Sequence, residues 1–169
     1  MTTAVNDYDD KLIGGWLAVC AMTIFGMILL GGVTRLTESG LSMVDWRPIM
    51  GVMPPLSTAD WVYLFDQYKL YPEYQLVNQG MTLAEFKQIF WFEYLHRMLG
   101  RLIGLMFFIP LVMFLWLGKV RASLKPHLFA LLLLGGCQGL MGWYMVQSGL
   151  VDRPDVSQYR LTGHLGLAI

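Results

Sequence analysis

Leu12-Ile13-Gly14-Gly15-Trp16-Leu17-Ala18-Val19-Cys20-Ala21-Met22-Thr23-Ile24-Phe25-Gly26-Met27-Ile28-Leu29-Leu30-Gly31-Gly32-Val33 contains no charged side chain. As a helix this run reaches about 33 Å at ~1.5 Å per residue, enough for a ~30 Å hydrocarbon core. Similar runs recur along the chain, so the fold class is an all-α integral membrane protein. Composition agrees: 56% of the residues are hydrophobic and 14% charged, where soluble domains carry roughly a quarter charged. Twelve Lys and Arg balance twelve Asp and Glu, so no basic surface points to nucleic acid.

Upstream of this run, residues 1–11 are polar and slightly acidic. They lack the basic start of a signal peptide, and no clear cleavage site follows, so the run is read as a retained helix. No Arg-rich transit peptide is present, which favours a bacterial source. Downstream lies a polar and aromatic segment, residues 34–89, then apolar spans at 90–117 and 128–146 and the start of a fourth at 161–169. Pro110 is expected to kink the second span. The last run would reach only ~14 Å, so the chain is expected to be a piece of a longer protein with its fourth helix cut.

The loop 118–127 holds Lys119, Arg121 and Lys125 without an acid, which places it and the N-terminus in the cytoplasm. Segments 34–89 and 147–160 then face outward; the latter carries Asp152, Arg153, Pro154 and Asp155. Trp46, Trp61, Tyr63, Tyr68, Tyr71 and Tyr74 suit a membrane interface. A short surface helix is expected over 57–70, and Pro48, Pro54 and Pro55 break regular structure before it. Thr82 and Glu85 have capping-box spacing, so the second helix should begin at Leu83. Cys20 and Cys137 both lie in apolar runs and read as buried small residues, with no CxxC pair.

Three histidines carry the chemistry. His96 and His164 each lie near the outer start of a span running inward, so they match in depth. His127 begins a span from the cytoplasmic side, ~30 Å away. A depth-matched pair on parallel helices can ligate a haem iron from both sides. Zinc would need further ligands at that depth. Interfacial histidines with local hydrogen bonds are the plainer alternative. Gly100 and Gly104 follow His96 on one helical face and would leave room for a flat ring, although close helix packing explains them equally well. Gly135, Gly139 and Gly142 form a similar stripe. Arg97, Arg101 and Arg35 suit haem propionates, or simply snorkel to the interface. Glu93, one turn before His96, can exchange protons beside the ring or pair with Arg97.

Glu93-Tyr94-Leu95-His96-Arg97 with Gly100-Arg101, Gly31-Gly32-Val33-Thr34-Arg35-Leu36-Thr37 with Ser39-Gly40-Leu41-Ser42-Met43, and Gly163-His164 after Arg160 together resemble the haem A synthase family. The resemblance spans nearly the whole chain. It implies an eight-helix membrane protein of two similar four-helix bundles, of which this chain is the first. It implies oxidation of a methyl group of haem O to the formyl group of haem A. His96 and His164 would be axial ligands to the substrate haem, and Glu93 the acidic residue of the reaction. A haem b cofactor would sit in the second half, so this half alone would not be competent. The absence of cysteines in the outer loop matches the branch found in proteobacteria and mitochondria, with the bacterial inner membrane favoured. Haem O, haem A, membrane lipids, haem O synthase and oxidase assembly factors are the implied partners; homo-oligomerisation is left open. Two other readings compete: a bis-histidine cytochrome b-like electron carrier, and a membrane scaffold without haem.

Overall fold

The computed structural model describes residues 7–44, 50–152 and 156–169, with only the main chain of Met50, Val151 and Asp152. Trp46, Pro48, Arg153, Pro154 and Asp155, and the side chain of Asp152, lie outside this description. The described residues form helices and no strand: α1 (Asp7–Leu36), α2 (Thr58–Tyr68), α3 (Pro72–Leu76), α4 (Leu83–Trp116), α5 (Lys125–Asp152) and α6 (Gln158–Ala168), with one 3-10 turn at Met50–Val52. α1, α4 and α5 are long and apolar enough to cross a membrane. α1 packs chiefly on α4, and α5 on α6.

Helix ends follow their capping chemistry rather than the apolar runs. The Thr82 side chain accepts from Glu85 N–H and the Glu85 carboxylate accepts from Thr82 N–H, so α4 starts at Leu83, well before its lipid-like stretch. Ser57 and Asp60 form the same reciprocal cap on α2. Backbone donors hold the exposed Asp60 carboxyl below the usual carboxylate range, Ser57 N–H first. Pro72 opens α3 at a position where its missing N–H costs nothing. α5 and α6 extend into the interval 147–160, which leaves a connection shorter than the polar stretch suggests. Hydropathy marks the part of a helix that lipid touches, and hydrogen bonds mark where it ends.

α4 runs on through Pro110. Proline lacks the N–H that would bond to the carbonyl four residues earlier, which here is Met106. The indole Nε1–H of Trp16 on α1 donates to that carbonyl at 2.8 Å. A group orphaned in an apolar layer is thereby satisfied by the neighbouring helix. Around this bond Trp16 packs on Phe107 and Phe114, beside buried Ile13, Leu111, Val120 and Leu128.

At the same end of the bundle, Lys119 pairs with Asp9 at 2.9 Å and Arg121 pairs with Asp10. The basic loop is therefore opposed, contrary to the reading of its own sequence. Its acids come from the start of α1, more than a hundred residues away, and only the fold brings them together. The N-terminus of α1 and the loop 118–127 thus lie on one side. Since orientation follows Lys and Arg rather than net charge, the pairing leaves the basis for a cytoplasmic assignment intact.

The opposite end holds a second core. Trp61, Phe65, Tyr68, Phe86, Phe90 and Tyr94 pack as a chain of rings between α2 and α4. Tyr68 is wholly buried, and burial together with the nearby Glu73 carboxylate pushes its phenol pKa up. Asn78 Nδ2 donates to its oxygen at 2.8 Å. Tyr94 on α4 donates its hydroxyl to the Val52 carbonyl at 2.5 Å, tying the segment before α2 to the long helix. Residues 50–82 are thereby a packed cap on α4 rather than a linker.

Candidate functional site

The site is built where α1 ends. Ser39 N–H bonds back to the Thr34 carbonyl at 3.0 Å, and Glu38 takes a left-handed φ of 51°, so the chain reverses at once. Residues 39–43 then fold against α4, with Ser39, Leu41 and Ser42 buried. What they fold onto is Glu93. Its Oε2 accepts from the Ser42 hydroxyl at 2.7 Å and from Met43 N–H at 2.7 Å. Its Oε1 accepts from the Arg97 guanidinium, which also donates to the Met43 carbonyl at 3.1 Å. Glu93 is 3% exposed, so this is a buried ion pair, closed by hydrogen bonds from a loop fifty residues away in sequence. Burial of a charged pair is tolerable only when its remaining valences are filled, as they are here.

His96 lies on the same helix, one turn beyond Glu93. A Cβ placed on Gly31 of α1 would stand 3.1 Å from His96 Nε2, so the imidazole rests on bare backbone. His164 lies on α6 and rests on Gly142 of α5, where a Cβ would stand 3.0 Å from its Cε1. The two imidazoles are close enough to interact electrostatically, and His96 also senses Glu93 and Arg97. α4 and α6 thus bring together the two histidines that the sequence pairs by depth.

Other candidates fall into place around them. Gly100 faces Met27 of α1, with 3.4 Å left for a Cβ, which is helix packing; Gly104 faces open space. The glycines that border the imidazoles are Gly31 and Gly142, from helices other than the histidines' own. Gly135 and Gly139 have no neighbour that a Cβ would meet. Arg101 contacts Met98 Sδ through its guanidinium at 3.6 Å. Arg35 is exposed in the last turn of α1. Arg160, one turn before His164, lies over the Tyr144 ring at 4.8 Å. His127 stands apart: its Nδ1 contacts the Ser123 carbonyl at 3.1 Å, and Gly142 lies roughly 22 Å further along α5 at ~1.5 Å per residue.

A haem fits this donor set. Among the described residues no three His, Cys, Asp or Glu side chains gather as a metal cage. Two imidazoles suffice only when a macrocycle supplies the other ligands, as porphyrin does. The glycine backbones at Gly31 and Gly142 leave the rings room to turn. His164 Nδ1 is buried with no hydrogen-bond partner, although the ring does interact with the Gln138 main-chain carbonyl.

Sequence reasoning did not assign individual roles to Ser42, Met43 or Gly31, and it placed Gly142 only in a smooth glycine stripe, not beneath His164. The Ser39–Met43 stretch stood out only as a motif, and its function as the Glu93 clamp requires the loop to fold back.

Comparison with known proteins adds an independent line. The COX15-CtaA family model, described as cytochrome oxidase assembly protein, matches residues 14–169. A heme A synthase of Nitrosospira multiformis is 59% identical over 159 residues, covering 94% of this chain and 45% of that protein. Heme A synthases of Parvibaculum lavamentivorans and Agrobacterium fabrum are 53% and 54% identical, each over 96% of this chain and 47% and 45% of their own lengths. The chain spans about half the length of the curated relatives it matches. No solved structure matches it.

Proposed function

The chain belongs to the COX15-CtaA family of cytochrome oxidase assembly proteins, and from that membership we propose that it forms the substrate-binding half of a haem A synthase. In this proposal haem O lies between α4 and α6 with His96 and His164 as axial ligands, and one of its methyl groups is oxidised to the formyl group of haem A. The observation that carries the reading is that two imidazoles from separate helices lie within electrostatic range of each other, each against a glycine backbone. The relatives' shared name supports the reaction.

The chain's own residues would bind and orient. His96 is held in place by a helix that Glu93 and Arg97 lock to the 39–43 loop. Arg101, together with Arg97 and Arg35, supplies the guanidinium groups proposed to meet the propionates, Arg97 doing so while paired with Glu93. Glu93 is the acid–base group of the proposal. It stands one turn from His96, and its Oε2 shares a proton-bearing partner, the Ser42 hydroxyl. A haem b in the remaining half would complete the enzyme, so this half alone would bind substrate without converting it. The basic loop 118–127 sets the N-terminus in the cytoplasm and the histidines at the outer face of a bacterial inner membrane. Haem O synthase is then the natural upstream partner.

The test uses the full-length protein expressed with haem O supply. His96→Ala and His164→Ala should each stop haem A formation and leave haem O in the membranes. Glu93→Gln should retain haem while haem O or a partly oxidised product accumulates. Normal haem A yield from both histidine variants would overturn the assignment, and normal yield from Glu93→Gln would remove its acid–base role. A reporter fused near Lys69 should read as periplasmic and one near Ser123 as cytoplasmic; the reverse would sink the outer-face placement.

A further inference from the structure

Two buried side-chain polar atoms on the facing helices α5 and α6 have no hydrogen-bond partner: Gln138 Oε1 and His164 Nδ1. Their chemistry is complementary. An amide oxygen only accepts, and an imidazole nitrogen that carries its proton donates. They are also neighbours by construction. The His164 ring rests on Gly142, with its Nδ1 3.7 Å from the position a Cβ would take. Gln138 lies one turn before Gly142 and so shares that face of α5. Its main-chain carbonyl is already a hydrogen-bond partner of the ring, which leaves the side-chain oxygen to be placed.

We propose that Gln138 is the positioning residue of His164: its side-chain oxygen accepts the Nδ1–H when haem binds, fixing the tautomer that offers Nε2 to the iron. The proposal rests on the reading of His164 as an axial ligand. Iron-bound imidazole takes its orientation and basicity from whatever its other nitrogen donates to. On the partner side, His96 is already seated on a helix locked by an ion pair. On the α6 side the ring has the Gln138 main-chain carbonyl but no partner at Nδ1, and the unsatisfied Gln138 Oε1 is the side-chain acceptor on that face. Gly142 is needed for the same reason, because a side chain there would hold the ring off α5.

The experiment uses the full-length protein in detergent, with the other haem site disabled and haem O titrated into the apo form. Gln138→Met keeps the length and removes the acceptor; Gln138→Glu keeps an acceptor and strengthens it. Gln138→Met should weaken haem retention by roughly ten- to a hundredfold, the usual cost of losing an outer partner. Gln138→Glu should retain haem and shift its midpoint potential to more negative values, since the ligand becomes more basic. Unchanged retention in Gln138→Met would overturn the proposal. So would equal loss in both variants, because that pattern belongs to packing rather than to an acceptor. His164→Ala, measured alongside, separates the two layers: if it keeps the bis-histidine spectrum, the ligand assignment itself fails, whereas its loss together with an unaffected Gln138→Met rejects only the role of Gln138.

Discussion

The two histidines sit in unequal surroundings. On the α1–α4 side the polar groups are paired along the helix: Glu93 with Ser42, Met43 and Arg97 one turn before His96, the Met106 carbonyl with Trp16 further on, and the helix start with its capping box. On the α5–α6 side His164 Nδ1 and Gln138 Oε1 are buried without partners, and Leu131, Leu133, Leu134 and Leu140 stand exposed along α5. One wall of the site has its buried charges and helix-breaking proline satisfied by the chain itself, and the other retains unsatisfied polar atoms. A cofactor-binding bundle can be organised this way, with one ligand preset and the other captured.

This contrast makes quantitative demands. The largest effect should come from the Glu93–Arg97 pair. Both side chains are under a tenth exposed, and removing one partner of a buried pair costs about 3–5 kcal/mol. Glu93→Ala should therefore strongly destabilise the apo protein in a detergent unfolding assay, and Glu93→Gln should be the milder of the two. An apo stability unchanged by Glu93→Ala would break the picture of a preset wall. Trp16→Phe should cost less, about 1–3 kcal/mol, by leaving the Met106 carbonyl unsatisfied while keeping most of the ring packing. The matching control is Pro110→Ala, which restores the helix's own donor and should make Trp16→Phe nearly silent. Thr82→Ala removes one cap and should cost about 1 kcal/mol.

The far side should respond in the opposite way. His164→Ala removes a buried, unpartnered Nδ1 along with some packing and the contact to the Gln138 carbonyl, so apo stability should change by only about 1 kcal/mol. A loss comparable with that of Glu93→Ala would show that the α5–α6 wall is preset as well. The smallest effect is expected at Asp60. Its carboxyl is held below its ordinary value of 3.8 by Ser57. A depressed folded pKa adds stability that is present above that value and lost as the pH falls through the lower, folded one. Local hydrogen exchange in α2 should rise below about pH 4, and Asp60→Asn should flatten that dependence.

Much of this was legible in the sequence because it is local. Long apolar runs announced the three long helices, Thr82 and Glu85 fixed the start of α4, and the four-residue spacing of Glu93 and Arg97 anticipated their pairing. The unread parts all depend on distant segments meeting. Lys119 and Arg121 looked unopposed because Asp9 and Asp10 lie at the other end of the sequence. Gly100 resembled a ring cradle by its spacing from His96, yet the backbone under that ring is Gly31, on another helix. Ser42 carried no periodic signal, and its task appears only once the loop reverses after Glu38. Pro110 announced a disturbance in α4, but not that Trp16 would fill the vacated bond.

The central claim is that His96 and His164 grasp one haem. It is tested most directly by low-spin electron paramagnetic resonance of the full-length protein with the other haem site disabled. The bis-histidine signal should vanish in His96→Ala and in His164→Ala, each returning toward a high-spin form, and should persist in His127→Ala. A signal that survives either of the first two substitutions, or disappears with the third, would contradict the site.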